Sequence, residues 1–251
     1  MSSKVETVYY NEIDPYCCLW LDKLMSAGLI PKGDIDDRDI RDVKPIDISG
    51  YDHCHFFAGL GGWAYAYEQQ KYREQSVWTG SCPCQPFSSA GKGDGFNDER
   101  DLWPYWFHLI TQCLPTTIFG EQVSGKKGLS WFKRLQSDVD SLGRASVALD
   151  LPAGGFGATH KRNRTYWVAE DTPNTNWDEQ SWEEPCSGSA GRMGGFKQPF
   201  PWDTSWQSAL CRLRTVDDGL SYGVASTDAT RNAICPQVAS AFIETYYEAR
   251  K

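Results

Sequence analysis

The stretch YDHCHFFAGLGGW, residues 51–63, decides the fold class of this chain. An apolar run over residues 51–57 ends in a glycine-rich turn, and residues 63–70 then have helical character. A strand, a glycine-rich turn and a helix in this order are typical of a doubly wound α/β unit. Such a turn lets the backbone approach a ligand closely, although a turn that only packs a strand against a helix has the same composition.

The same alternation of strands and helices continues on both sides of this unit. Residues 170–221 are the exception, because they are rich in Trp, Gly, Pro and Ser and show no sustained hydrophobic periodicity. We therefore expect an α/β fold with a doubly wound, mainly parallel sheet, in which residues 1–169 and 222–251 form one domain and residues 170–221 a small irregular insert. The predicted strands are 5–11, 51–57, 76–80, 116–120, 145–149 and 165–169, and the predicted helices are 15–27, 63–70, 102–113, 131–142 and 236–247.

The composition excludes several classes of protein. The 251 residues are 40% hydrophobic and 23% charged, which is close to an average globular protein. The net charge of −8 argues against a protein that coats nucleic acid or an anionic membrane over its whole surface, so any nucleic-acid contact must be local. No apolar run approaches the ~18 residues of a membrane span, and the polar start lacks the apolar core of a secretory signal. We expect a soluble, cytoplasmic protein that does not bind membranes.

The nine cysteines form an odd set without a repeated CxxC spacing, so we expect thiols rather than a disulfide framework. Neither the pair Cys82 and Cys84 nor the group around Cys54 matches a structural zinc pattern, and we expect no metal site. Cys84 differs from the others because Pro83 and Pro86 restrict the backbone around it, directly after a predicted strand. A partly exposed thiolate there would be a nucleophile, whereas a buried thiol would be structural.

Residues 120–127, GEQVSGKK, form a second candidate for a ligand-binding loop. They match a phosphate-binding P-loop in every position except the last, where Lys127 replaces the hydroxyl that would ligate magnesium. The carboxylate of Glu121 within the loop also opposes triphosphate binding. A P-loop enzyme is therefore a distant alternative.

Five short motifs follow one another along the chain. They are FAGLGG at 57–62, PCQPFS at 83–88, GEQV at 120–123, HKRNR at 160–164 and RNAICPQVA at 231–239. In this order they resemble the DNA cytosine-5 methyltransferases. Three positions depart from the family pattern: Gln122 stands where the family has Asn, His160 where it has Gln, and Arg231 where it has Gly. The resemblance implies an S-adenosylmethionine-binding fold and transfer of its methyl group to carbon 5 of cytosine in DNA.

The order of the motifs indicates a circular permutation. Only 21 residues separate Gly62 from Cys84, which leaves room for one helix and one strand, whereas the family usually has two further strands there. Counterparts of the missing motifs lie at the front of the chain. Residues 9–21, YYNEIDPYCCLWL, resemble the acidic second motif, and residues 33–35, GDI, resemble the third. We expect these two strands to precede the glycine-rich unit in the chain and to keep their places in the sheet.

The resemblance also implies roles for individual side chains. Cys84 would add to carbon 6 of the cytosine, and Glu121 would protonate or hydrogen-bond N3. Arg162 and Arg164 would hold the base and orient the carboxyl group. Glu12 would accept hydrogen bonds from the ribose hydroxyls of the cofactor. The other residues expected around S-adenosylmethionine are Ile13, Asp34, Ile35, Phe57, Gly59, Leu60, Gly61, Gly62, Pro83, Leu102 and Asn232.

The expected partner is DNA with its target cytosine flipped out, because the reacting atoms are stacked inside a duplex. The glycine-rich residues 88–99 are suited to close over the flipped base. Residues 1–50 carry six basic and ten acidic side chains, whereas residues 120–164 carry eight basic and four acidic ones. A surface that faces DNA phosphates is therefore expected in the second range.

Two other functions stay open at this point. One is a catalytically weak or partner-dependent module that binds DNA or S-adenosylmethionine, an alternative that the short insert favours. The other is a cytosine-5 methyltransferase that acts on tRNA, because such enzymes share much of the motif set. The recognition sequence, the oligomeric state and the choice between restriction protection and use by a phage or mobile element also stay open.

Overall fold

The computed structural model describes residues 6–70, 76–83, 101–158, 162–171 and 233–249. These residues form a seven-stranded sheet with the strand order β2-β1-β3-β4-β5-β7-β6. The first five strands in the chain are parallel, and β7 is antiparallel to both β5 and β6. The predicted α/β fold with a mainly parallel sheet is confirmed. The strands are β1 (Val8–Asn11), β2 (Asp34–Asp36), β3 (His53–Phe56), β4 (Val77–Gly80), β5 (Thr117–Val123), β6 (Arg144–Pro152) and β7 (Asn163–Asp171). The helices are α1 (Pro15–Ser26), α2 (Pro45–Ile48), α3 (Gly62–Glu68), α4 (Trp103–Cys113), α5 (Lys126–Asp140) and α6 (Pro236–Ala249), with short 3-10 turns at Ile40–Asp42 and Ala153–Phe156.

The two N-terminal strands extend the sheet outward from β3. Tyr10 of β1 lies opposite His55 of β3 on one side and opposite Ile35 of β2 on the other. The spatial order of these three strands therefore differs from their order in the chain. This is the arrangement that the permuted motif order predicts, and it brings the ends of β1 and β2 to the same sheet edge as the glycine-rich turn after β3.

A cluster of tryptophans fills the core between the sheet and helices α4 and α5. Trp103 and Trp106 of α4 contact Trp167 of β7 at ring-centroid distances of 6.4 and 5.9 Å. Gly120 of β5 lies opposite Trp167, and a Cβ on this glycine would lie 2.1 Å from the indole ring. The ring thus packs directly on the backbone of β5 and supports the strand end that carries Glu121.

Helices α1, α3 and α6 cover the opposite face of the sheet. Val8 and Tyr10 of β1 pack in the cluster with α1, whereas Tyr9 between them packs on the tryptophan side, as the alternation of side chains along a strand requires. At the C-terminal end of the chain, Phe242 of α6 contacts the ring of Phe119 at 6.3 Å. Both faces of the central strands are therefore buried, which is typical of parallel sheets.

The close contact at Gly120 predicts a large effect on stability. We expect Gly120→Ala to lower the free energy of unfolding by roughly 2–3 kcal/mol, because Trp167 has no room to retreat in a packed core. Gly155→Ala is the matched control, since its Cβ would meet only Pro152 at an ordinary 3.6 Å. Urea unfolding followed by tryptophan fluorescence measures both. A Gly120→Ala protein as stable as the control would contradict this packing.

The P-loop alternative is wrong. Residues 120–123 belong to β5 and are paired with β7 from Gly120 opposite Trp167 to Val123 opposite Arg164. Their backbone is extended and hydrogen-bonded within the sheet, so it cannot wrap around a phosphate. Only Ser124 and Gly125 lie between β5 and α5.

Several predicted features lie outside the described residues. Strand β7 continues to Asp171, two residues into the predicted insert, and the rest of the insert is not within the described ranges. The other predicted features outside the described residues are residues 88–99, Cys84, His160, Arg231 and Asn232.

Within the described ranges, every helix is too short or too polar to span a lipid bilayer. No disulfide joins the cysteines in these ranges.

Candidate active site

A cavity of about 260 Å³ lies at the carboxyl ends of the parallel strands. In doubly wound folds this edge of the sheet is where ligands bind. Its walls come from the segments that follow β1, β2, β3 and β4 and from the residues before α6. The lining residues are Asn11, Glu12, Ile13, Asp14, Cys17, Arg38, Asp39, Ile40, Phe57, Ala58, Gly59, Leu60, Gly62, Trp63, Ser81, Pro83, Leu102, Ala233 and Ile234.

Glu12 connects the end of β1 to the glycine-rich turn. Its Oε2 accepts a hydrogen bond of 2.6 Å from the backbone N–H of Gly59, and its Oε1 accepts one of 2.9 Å from the N–H of Asp14. Burial raises the pKa of the Glu12 carboxyl, while these backbone donors act to lower it. The carboxylate therefore orders the turn and still faces the cavity.

The turn itself depends on residues in the left-handed region. Gly59 and Gly61 have φ values of 53° and 75°, which glycine adopts without a steric penalty. A Cβ on Gly62 would lie 2.3 Å from Cγ2 of Ile234, so the segment before α6 packs directly on the turn. The first and last parts of the described chain thus meet at the cavity.

Most of the predicted cofactor residues that the structure describes line this cavity. Gly61 does not, because it caps α3 and packs against Leu21 and Leu24 of α1. Asn232 lies outside the described residues, next to the lining residue Ala233. The predicted residues that line the cavity are Glu12, Ile13, Phe57, Gly59, Leu60, Gly62, Pro83 and Leu102.

The structure places Asp34 and Ile35 away from the cavity. Asp34 begins β2 and accepts a hydrogen bond of 2.6 Å from the Tyr51 hydroxyl, and Ile35 packs against the α1 side of the sheet. The cavity lies at the opposite end of β2, where Asp39 and Ile40 line it. The sequence DIDDRDI contains two Asp-Ile pairs, and the second pair occupies the place expected for the first.

A buried carboxyl group lies near the end of β5, next to the cavity-lining residue Ser81, which follows the neighbouring strand β4. Glu121 is 6% exposed, and its Oε1 lies 2.7 Å from Nε of Arg164 on β7. Burial raises the pKa of the Glu121 carboxyl, while Arg164, Arg162 and a hydrogen bond from Ser81 act to lower it. Arg162 also donates a hydrogen bond of 2.7 Å from Nη2 to the Ala233 carbonyl. The sheet thus brings together the three predicted catalytic residues that the structure describes.

Two further side chains, neither of which was assigned a role from the sequence, make contacts close to this carboxyl. Gln122 donates a hydrogen bond of 3.2 Å from Nε2 to the carbonyl of Cys82, two residues before Cys84. Ser81 lines the cavity and accepts a hydrogen bond of 3.1 Å from Nε1 of Trp63. The polar residue before Cys82 and the Asn-to-Gln change at position 122 were the available signals, but neither contact follows from sequence alone.

The family description "C-5 cytosine-specific DNA methylase" matches residues 1–215 of this chain. The chain belongs to this family. The match covers both permuted N-terminal strands, the glycine-rich turn, Cys84 and the Glu121–Arg164 pair, and the resemblance inferred from the five motifs is confirmed.

Individual members of the C-5 cytosine-specific DNA methylases are similar over part of their length. The chain is 30% identical over 146 residues to the Type II methyltransferase M.NgoMIV of Neisseria gonorrhoeae, covering 57% of this chain and 46% of that protein. It is 32% identical over 106 residues to the Type II methyltransferase M.AplI of Arthrospira platensis, covering 41% and 30%. It is also similar to the structure of the Entamoeba histolytica methyltransferase EhMeth, with 17% identity, a TM-score of 0.45 and coverage of 70% of this chain and 55% of that one. The aligned part amounts to less than half the length of both Type II relatives.

The place of Glu12 in this methylase chain gives a testable expectation. We expect Glu12→Gln to weaken S-adenosylmethionine binding by about tenfold or more, because the amide removes a charged acceptor and turns a donor toward the Gly59 or Asp14 N–H. Isothermal titration calorimetry measures the affinity. Glu248→Gln, exposed near the end of α6, is the control. If the two variants bound S-adenosylmethionine with equal affinity, Glu12 would not contribute to cofactor binding.

Proposed function

We propose that this chain transfers a methyl group from S-adenosylmethionine to carbon 5 of cytosine in DNA, through a covalent adduct with Cys84. The observation that carries the proposal is the buried Glu121–Arg164 pair, in which Glu121 lies next to the cavity-lining residue Ser81. Ser81 and Pro83 line that cavity, and Cys84 follows Pro83 in the chain. A cofactor pocket, a buried acid and a candidate nucleophile therefore belong to neighbouring segments.

The chemistry of the cavity fits S-adenosylmethionine. Its charged lining residues are three acids, Glu12, Asp14 and Asp39, and one arginine, Arg38. Arg38 pairs with Asp36 and Asp39 pairs with Arg41, and neither partner belongs to the lining, so Glu12 and Asp14 remain as the acids without an arginine partner among the ion pairs of the described residues. This acidic lining opposes a polyphosphate and suits a cationic sulfonium with ribose hydroxyls. We infer that Glu12 binds the ribose.

The apolar part of the lining fits an adenine ring. Ile13, Ile40 and Phe57 offer the flat apolar contacts that such a ring requires, and Asp39 offers an acceptor for an exocyclic amino group. When bound, the cofactor supplies the methyl group.

Cys84 supplies the electrons that activate the pyrimidine. Carbon 5 of cytosine is a poor nucleophile, so the thiolate first forms a bond to carbon 6 and pushes electron density toward N3 and carbon 5. Carbon 5 would then form its bond to the methyl carbon as the methyl–sulfonium bond breaks, which leaves the neutral thioether product S-adenosylhomocysteine. Transfer of the carbon 5 proton to solvent water then breaks the bond between carbon 6 and the Cys84 sulfur, restores the aromatic ring and returns the thiolate.

Glu121 stabilises the charge that develops at N3. An acid that donates a proton or a hydrogen bond to N3 must itself be protonated, and burial raises the pKa of the Glu121 carboxyl in this direction. Arg164 keeps the carboxyl in place through its 2.7 Å contact, and the Arg162 guanidinium adds positive charge nearby. The same two guanidinium groups are available to hold the base.

DNA is the proposed substrate because the family is described by action on DNA. The names of the relatives M.NgoMIV and M.AplI also favour a role in a restriction-modification system. The tRNA alternative receives no support from either name. The target base must leave the stack to reach Glu121, so we infer base flipping, with the basic range 120–164 toward the phosphates.

The shortness of the aligned region favours one second candidate. Less than half of each Type II relative aligns with this chain. The second candidate is therefore a module that binds the cofactor without turnover and needs a partner subunit to supply further DNA contacts.

The test is transfer of a labelled methyl group from S-adenosylmethionine to mixed-sequence DNA and, separately, to tRNA. We expect labelled 5-methylcytosine in DNA, identified by mass spectrometry of the digested product, and no label in tRNA. Label in tRNA alone would replace the proposed substrate. Cofactor binding without transfer to either nucleic acid would favour the partner-dependent module.

A further inference from the structure

Ser81 lies between the cofactor cavity and the buried carboxyl of Glu121. It directly follows β4 and lines the cavity. Trp63 on α3, which is 3% exposed and lines the same cavity, donates a hydrogen bond of 3.1 Å from its indole Nε1 to Ser81 Oγ.

The indole fixes the direction in which the serine hydroxyl donates. An indole N–H is a donor only, so Ser81 Oγ acts as acceptor toward Trp63 and its own proton is left for another acceptor. Gly80 of β4 pairs with Gly120 of β5 in the parallel sheet, so Ser81 and Glu121, which follow them in the chain, come next to each other. The hydroxyl is therefore placed to donate to the Glu121 carboxyl, an interaction that acts to lower the pKa of that group. Trp63, Ser81 and Glu121 therefore form a directional chain, and Arg164 contacts the carboxyl at Oε1, 2.7 Å from Nε.

We propose that Ser81 is a positioning residue for the reaction, which holds the Glu121 carboxyl in a fixed orientation and ties it through Trp63 to the helix that borders the cofactor cavity. This inference rests on the proposed function, in which Glu121 acts at N3. Ser81 acts through Glu121 and is not itself assigned a contact with the base.

The hydrogen bond from Ser81 has a defined electrostatic sign. A donor to a carboxyl group stabilises its charged form, so Ser81 acts with Arg164 and Arg162 to lower the pKa of Glu121 against the effect of burial. Tyr166, which lies opposite Glu121 on β7, is the other titratable group at this carboxyl. All three neighbours remain when Ser81 is changed, so the effect of the hydroxyl is separable from theirs.

The test compares Ser81→Ala with Ser81→Thr, which keeps the hydroxyl, in single-turnover methyl transfer at a series of pH values. We expect Ser81→Ala to lower the rate by about tenfold, the effect of losing one hydrogen bond to an ionisable group. Its alkaline limb, where Glu121 loses its proton, should move to higher pH, because the donor that favours the carboxylate is gone. Ser81→Thr should restore both the rate and the position of the limb.

A double variant shows whether Ser81 acts through Glu121. In the Glu121→Gln background, Ser81→Ala should cause no further loss, because its target group is already absent. An independent tenfold loss there, or an unmoved alkaline limb with a raised KM for the cofactor, would mean that Ser81 only shapes the cavity and would overturn the inference.

Different results would contradict the proposed function itself. A wild-type protein with no methyl transfer, or a fully active Glu121→Gln protein, would contradict the role of Glu121 itself and remove the basis for Ser81. A Glu121→Gln protein that is impaired beside an unaffected Ser81→Ala protein would overturn the Ser81 inference alone.

Discussion

Replacing Cys84 by alanine will lower the rate of methyl transfer by roughly a thousandfold or more, because no other group is proposed to activate carbon 5. Alanine has no nucleophile, so carbon 6 stays unsubstituted and carbon 5 keeps its low reactivity. Affinity for S-adenosylmethionine should persist, since the ribose and adenine groups assigned here, Glu12 and Asp39, are unchanged. Single-turnover transfer of labelled methyl and calorimetric cofactor binding measure the two quantities separately.

Cys113→Ala is the matched control for this experiment. Cys113 ends α4, is partly exposed and does not line the cavity. The control should transfer methyl at the wild-type rate. If Cys84→Ala retained that rate as well, the covalent mechanism would be excluded.

The second large effect is expected at Glu121. We expect Glu121→Gln to lower the methyl-transfer rate by about a hundredfold, because the amide has nearly the same shape but cannot transfer a proton to N3. The change also leaves Arg164 without the carboxylate that lies 2.7 Å from its Nε.

The pH dependence of the wild type gives a second readout for Glu121. Because the protonated carboxyl is the active form and burial raises its pKa, the wild-type rate should fall as the pH increases through that raised pKa. The limb assigned to Glu121 should be absent in Glu121→Gln. Asp140→Asn, exposed at the end of α5, is the control and should keep both the rate and the limb. An alkaline limb that persists unchanged in Glu121→Gln would belong to another group.

The central strands could be predicted from the sequence because their apolar runs are buried on both faces. Strand β2 could not be found in this way, because Asp34–Asp36 is a short polar strand at the sheet edge. Only its resemblance to a known motif indicated it. The sequence placed residues 131–142 within a helix without fixing its start. Helix α5 begins at Lys126, and no side-chain cap marks its first turn.

The positions of two acidic residues could be predicted because each belongs to a recognisable motif at or near the end of a strand. Glu12 follows β1 and lines the cavity, and Glu121 lies near the end of β5 beside Arg164. Their roles stay predictions. Asp39 and Ile40, which line the cavity, were not singled out from the sequence because an identical pair, Asp34 and Ile35, precedes them by five residues. The two pairs can be told apart only in the structure, where β2 runs toward the cavity and brings the second pair to it.

Contacts between distant segments could not be predicted at all. The hydrogen bond between Trp63 and Ser81 joins residues 18 positions apart, and Gly62 packs on Ile234 from the other end of the chain. Such contacts depend on the packing of α3 and α6, which periodicity does not specify.

The most direct test of the covalent mechanism is to trap the adduct. DNA in which fluorine replaces hydrogen at carbon 5 of cytosine cannot lose a proton there after methyl transfer, so the carbon–sulfur bond persists. We expect a stable protein–DNA complex that requires S-adenosylmethionine, with the modified base attached to Cys84 in the peptide map. Methylation of ordinary DNA without any such complex, or attachment at a different residue, would contradict the mechanism.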